Sequence, residues 1–336
     1  MLRRFLGPLP SPLTLMNTLQ QHILKTLLYY DIFSYPLRPS EIFTFLTVNS
    51  VRLEDVEQGL LELKRRNLVD SQDDHYFLKH RDKNVVQRRK MMEGRARKAW
   101  KNARLMTSIM RRFPFVRAVL VSGDLSKNIA GEESDIDYFV ITRPNRLWIS
   151  RSLLVLFKKV FLLNRRKFFC INYFLAEDTL EVRERDIYVA TEIAHLKPLY
   201  NARLYREFMR RNVWIKEYFP NFSDSRNGSW SVDDRKSFMQ KVLELPFIFD
   251  YAHRVDRWLM RTMEKLWEKR YPMLSDDDRR RLFRCSPHVS TAHGGDFQRH
   301  VLKEYRERLS AYNLSESSST KRFDPFPKAT TSRPGQ

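Results

Sequence analysis

The chain has 336 residues, 42 % of them hydrophobic, and a formal net charge of +21. That length suggests two or three domains with real cores, and the charge favours polyanionic partners: nucleic acid, nucleotides or an anionic membrane surface. Only Cys170 and Cys285 are present, which excludes a disulfide framework and a cysteine metal cluster and fits a reducing, cytoplasmic setting.

Residues 1–17 read as an unpacked leader, and their prolines argue against a signal peptide. Apolar residues recur at helical spacing from Leu19 to Tyr30. The segment Asp31–Leu37 is a turn, Pro39-Ser40-Glu41-Ile42 opens a second helix, and Leu53 to Asn67 makes a third. Leu68–Asp70 and His75–Leu78 then read as short strands around a turn. Three helices and a β-ribbon over 18–82 resemble a winged helix, a module that usually reads nucleic acid. Here Glu54, Asp55 and Glu57 open the would-be recognition helix, and Asp70, Asp73 and Asp74 surround the ribbon. Those acids repel phosphates, so a protein partner or a structural role is the favoured expectation for the module.

Residues 83–115 read as a linking helix of another character. Between Lys83 and Arg112 the basic side chains are Lys83, Arg88, Arg89, Lys90, Arg95, Arg97, Lys98, Lys101, Arg104, Arg111 and Arg112, with Glu93 the only acid. The expectation is a basic surface for RNA or another polyanion, weighed against a solvated face.

The stretch Val116 to Arg143 organises the rest of the chain. An apolar run, Ala118 to Val121, ends in Ser122-Gly123. A polar loop leads to Ser134-Asp135-Ile136-Asp137-Tyr138-Phe139-Val140-Ile141. In a strand Asp135 and Asp137 share one face, and Ile136, Tyr138 and Val140 take the other. Paired carboxylates are comfortable with a divalent cation between them and a ligand, and Mg²⁺ favours one or two carboxylates, waters and substrate phosphates. Gly123 lets a phosphate approach the backbone closely.

Ser-Gly, a spacer of roughly ten residues and Asp-apolar-Asp resemble the DNA polymerase β-like nucleotidyltransferase superfamily. The resemblance implies an α+β, helix-rich fold. A small mixed sheet with flanking helices over 116–220 would form the nucleotidyltransferase core, after the winged-helix-like module and before a helical region over 231–313. It implies that Asp135 and Asp137 hold Mg²⁺ or Mn²⁺, and that Gly123, with Ser122, Lys127 and Ser134, surrounds the triphosphate of an NTP. Asp124 departs from the family pattern, which has Ser or Gly there. Asn145 to Leu163 reads as an amphipathic helix, too short and too charged (Arg151, Lys158, Lys159) to span a membrane. The next strand, Phe168 to Leu175, carries Asn172 where the family supplies a third carboxylate. Asn172 has the shape of a ligand but cannot act as a base; Glu177, Asp178 and Glu192 are the substitutes in view.

The segment Asp186–Leu196 reads as a helix ended by Pro198, with His195 packing or hydrogen-bonding rather than catalysing. A further helix spans Leu204 to Tyr218, and Phe219 to Ser231 is a linker by composition. Helices follow to about Tyr271, then a short one from Ser275 with the basic run Arg279-Arg280-Arg281, then Asp296 to Asn313. The tail, 314–336, is rich in Ser, Thr and Pro and is expected to be disordered. Three functions remain open: an active nucleotidyltransferase acting on RNA or a small molecule, a degraded relative that binds nucleotide or nucleic acid, and an interaction protein using the winged module.

Overall fold

The computed structural model describes residues 16–164, 167–224, 237–247, 249–291 and 296–315. Most of the expected leader, linker and tail, and the side chains of Arg280 and Arg281, lie outside the described residues.

Helix α1 (Thr18–Asp31) opens on a capping box in which Asn17 and Gln20 bond each other's backbone N–H. Helices α2 (Pro39–Thr44) and α3 (Leu53–Arg65) follow, then the hairpin β1 (Val69–Gln72) and β2 (His75–Leu78). Leu37 bridges Tyr76, adding an antiparallel contact to the outer side of the hairpin. Helix α4 (Asn84–Met110) runs to the central sheet. That sheet is built from β3 (Val116–Ser122), β4 (Asp137–Thr142), β5 (Cys170–Ala176), β6 (Lys197–Tyr200) and β7 (Val289–Thr291). Their order is β6-β3-β4-β5-β7, with only the β4–β5 pair parallel. The single turn α5 (Gly123–Ser126) follows β3, α6 (Leu147–Phe161) connects β4 to β5, and α7 (Ile187–His195) precedes β6. Then come α8 (Ala202–Arg211), α9 (Ile215–Tyr218), α10 (Phe238–Glu244), α11 (Tyr251–Arg270), α12 (Asp276–Leu282) and α13 (Phe297–Ala311).

The molecule is therefore α+β and helix-rich, with helices on both faces of a mixed sheet. Strand alternation decides which residues meet which helices. Ala118, Leu120, Phe139, Ile141 and Leu175 face one cluster containing α1, α7, α8 and α13. Val119, Val121, Tyr138, Val140 and Phe174 face a second, formed with α4, α6 and α11. The first cluster is continuous from Ile23 to Tyr305, so the N-terminal helices share a core with the sheet's covering layer. Among the described residues no helix is long and apolar enough to cross a membrane.

Several local expectations are revised. Pro198 does not merely end a helix; it lies in edge strand β6, opposite Leu120, where its missing N–H is tolerated. The expected helix over Leu204–Tyr218 is two, because buried Asn212 turns its side chain inward. Its Oδ1 accepts from Val182 N at 2.8 Å and its Nδ2 donates to Leu180 O at 2.8 Å. Asp256, on α11, accepts from Ile149 N at 2.8 Å and so caps α6 from a neighbouring helix.

Candidate functional site

The site forms where β3 ends and β4 and β5 begin. In the antiparallel β3–β4 register Ser122 lies opposite Asp137; in the parallel β4–β5 register Asp137 lies opposite Cys170. Three strand termini thus bring a turn, a carboxylate and a polar strand end together. Gly123 has φ +64°, in the left-handed region, and a Cβ there would collide with the Asp137 carboxylate. Glycine is required twice over, by conformation and by space.

Asp137 begins β4, while Asp135 sits in the preceding loop rather than on the strand. Ile136 and Tyr138 are buried behind them. Burial pushes the Asp137 carboxyl up to about 7, against the lowering contact of the Cys170 thiol, and the charges of Asp135, Asp124 and Glu192 add to the rise. The Cys170 thiol is itself pushed up to about 12 by burial and then by Asp137.

Asn172 is drawn to the same point. The β4–β5 register slips between Tyr138 and Phe139, leaving Asn172 as an extra residue on β5, as a β-bulge does. Its Nδ2 donates to Asp137 Oδ1 at 2.6 Å, and Cys170 Sγ donates to its Oδ1 at 3.2 Å. Asn172 is therefore a partner of the Asp137 carboxylate.

The remaining expected residues divide between the site and its frame. Lys127 Nζ pairs with Glu192 Oε1 at 2.8 Å and donates to Gly123 O at 3.4 Å. It holds the turn and meets an acid from α7. Ser134 Oγ donates to Asp124 Oδ2 at 3.0 Å and accepts from Gly131 N at 2.8 Å, closing the loop before Asp135. Asp124, the departure from the family pattern, thus has a partner at the loop edge. The structure separates the other candidate acids. Glu177 N bonds Thr142 O, and Asp178 meets His288 at 3.2 Å. Both lie at the far end of β4, about 16 Å along the strand from Asp137 at roughly 3.3 Å per residue. Glu192 is the one of the three that reaches the neighbourhood.

Residues not singled out from sequence also converge. Cys170 stands two positions before Asn172, a spacing that was available as a signal. Tyr188, one turn before Glu192 on α7, has its hydroxyl pushed up by burial and by Glu192, Asp186 and Asp137; no local pattern marks it. The loop is braced from outside by Tyr35 OH to Lys127 O at 3.1 Å and Trp100 Nε1 to Asn128 Oδ1 at 3.2 Å.

Among the described residues no three His, Cys, Asp or Glu side chains assemble into a ready metal-ligand set. A divalent cation here would rest on Asp135 and Asp137, with waters and phosphate oxygens completing its shell, as Mg²⁺ accepts. A buried carboxylate crowded by three further acids fits such an ion, because added positive charge relieves the repulsion. Compared with protein-family models, with curated proteins and with solved structures, the chain matches none.

Proposed function

We propose that this protein is a metal-dependent nucleotidyltransferase that moves a nucleoside monophosphate from an NTP to an acceptor hydroxyl. The observation that carries the reading is the packing of the Gly123 turn against Asp137, with Asp135 beside it. A glycine turn at the end of one strand and a pair of acids at the start of the adjoining one match the residues on which the chain resembles the polymerase β-like superfamily. In the proposed reaction the acceptor oxygen bonds to the α-phosphorus. The bond from that phosphorus to the β-bridging oxygen breaks, and pyrophosphate leaves with the electron pair. Ser122 and Gly123 line the phosphate turn, and Lys127 adds positive charge beside it. Mg²⁺ held by Asp135 and Asp137 supplies charge neutralisation across the phosphates. Asp135 and Glu192 are the carboxylates left to take the hydroxyl proton, since Asn172 is an amide.

The test is calorimetric titration of ATP, GTP, CTP and UTP into the protein with and without Mg²⁺. We expect Mg²⁺-dependent binding of at least one NTP, lost in Asp137→Asn. Equal binding by the variant, or none by the wild type, would count against the reading.

One contact favours a second reading, a nucleotide-binding relative without transfer activity: the Asn172 amide occupies an oxygen of Asp137 and brings no charge of its own. Incubation with a radiolabelled NTP and candidate acceptors separates the two. If Asn172→Asp transfers and the wild type does not, the second reading is the better one.

A further inference from the structure

Helix α4 buries Ala96, Trp100, Ala103 and Met110 against the sheet and the site loop, and Val86 against Phe77 of the hairpin. That packing fixes which side chains face outward. Lys90, Arg97, Lys98, Lys101 and Arg104 fall within about 120° of arc at roughly 100° per residue, and all are exposed. They extend along about 21 Å of helix, at about 1.5 Å per residue.

Several surface cations on or beside α3 and α8 are matched locally: Arg52 with Asp55, Arg65 with Glu62, Arg210 and Arg211 with Glu207. The single acid of α4, Glu93, is taken up by Arg89 at 2.9 Å. Lys90 meets Asp73 at 2.8 Å. Arg97, Lys98 and Lys101 form no ion pair with a described acid. Like charges at these spacings repel, and a polyanion relieves that repulsion.

The same helix touches the loop that leads to Asp135 through its other side, outside the basic arc at roughly 100° per residue. Ala130 N donates to Met92 O at 3.1 Å, and Arg95 pairs with Glu132. Both partners lie on the loop leading to Asp135. An interfacial membrane helix needs a continuous outward apolar stripe, and Met91 and Leu105, the exposed large apolar side chains of α4, stand 14 residues apart rather than in a stripe. A row of about 21 Å matches about six phosphates of one strand, at roughly 3.4 Å per charge. We infer that the outward face of α4 binds the phosphate backbone of a nucleic acid. This binding surface does not rest on the nucleotidyltransferase reading.

Fluorescence anisotropy of the full chain with an RNA hairpin, and with the DNA hairpin of the same sequence, tests this. We expect binding that weakens about 100-fold between roughly 50 and 200 mM salt, as about four neutralised phosphates require. The triple variant R97E/K98E/K101E should bind at least about 100-fold more weakly, with a flatter salt slope. Its circular dichroism and Mg²⁺-dependent NTP binding should be unchanged, because these side chains are exposed and outside the site. A preference for either hairpin identifies the natural polymer, and equal binding assigns recognition to the backbone alone. The inference is overturned if the triple variant binds both hairpins as tightly as the wild type, or if the wild type binds neither at low salt. It is also overturned if the wild type binds phosphatidylserine vesicles in preference to both hairpins. Hairpin binding without NTP binding would leave this surface standing and remove the nucleotidyltransferase reading, so the two fail separately.

Discussion

Asp137 shows how a single residue couples stability to the proposed chemistry. Its carboxyl is pushed up to about 7 by burial and neighbouring acids. The folded state therefore keeps a proton that the unfolded chain releases near pH 4. Stability contributed by the protonated form is present at low pH and is lost as pH rises from about 4 to about 7. In the absence of divalent cations, Asp137→Asn should be more stable than the wild type at pH 8, by on the order of 2 kcal/mol after screening is allowed for. At pH 4 the difference should vanish. Urea unfolding at the two pH values measures it; an equal difference at both would show that Asp137 is not held protonated. The same carboxylate is the one whose loss should abolish NTP binding, so the site is built at a cost to the fold.

At the scale of elements, Arg89 carries an equivalent lesson. By sequence it belongs to the basic row of Lys83–Arg112. In the structure its side chain is 4 % exposed and pairs with Glu41 at 2.6 Å and Glu93 at 2.9 Å. Its guanidinium lies 4.2 Å over the Tyr35 ring and donates to Pro36 O. It joins α2, the turn region before it and α4. Arg89→Ala should cost about 3–5 kcal/mol, because Glu41 would lose its cation and Glu93 would keep only Arg38 at 3.9 Å. Chemical denaturation checks this, and a cost below about 1 kcal/mol would mean that the pair behaves as a surface ion pair. The edge strands β6 and β7 belong to this scale too. They are short, and Pro198 in β6 reads as a helix stop, so neither declared itself in the sequence. Pairing with β3 and β5 is what makes them strands.

Across the whole molecule, the N-terminal helices are locked to the sheet's covering layer. Tyr30 OH meets His195 Nε2 at 2.9 Å, and Phe45 lies 4.7 Å from the same ring. Asn221 Nδ2 donates to Phe43 O and Val48 O, and Asp31 holds both Arg81 and Arg308. Burial lowers the His195 pKa well below its ordinary value of about 6.5. The unfolded chain therefore gains a proton below about 6.5 that the folded chain refuses. Stability should fall with decreasing pH there, by up to about 1.4 kcal/mol per pH unit from this group. His195→Gln, which keeps a partner for Tyr30, should flatten that limb between pH 6.5 and 5. Indistinguishable slopes for the two proteins would show that another group drives the acid loss.

The sequence by itself determined the helix-rich α+β character, because helical and strand periodicities are local properties of the chain. It also marked Gly123, Asp135 and Asp137, since a turn and an acid pair are separated by few residues. Tertiary structure decided what those residues do to one another. The β3–β4 register sets Ser122 opposite Asp137, and the slip on β5 turns Asn172 toward the same carboxylate. Glu192 approaches because α7 lies over the sheet, whereas Glu177 and Asp178, closer in sequence, end at the opposite edge. Likewise the charge of α4 was plain in the sequence, but packing drew Arg89 inward and left Arg97, Lys98 and Lys101 outside. Which neighbour a side chain meets depends on register, burial and pairing across distant segments, and local pattern carries none of these.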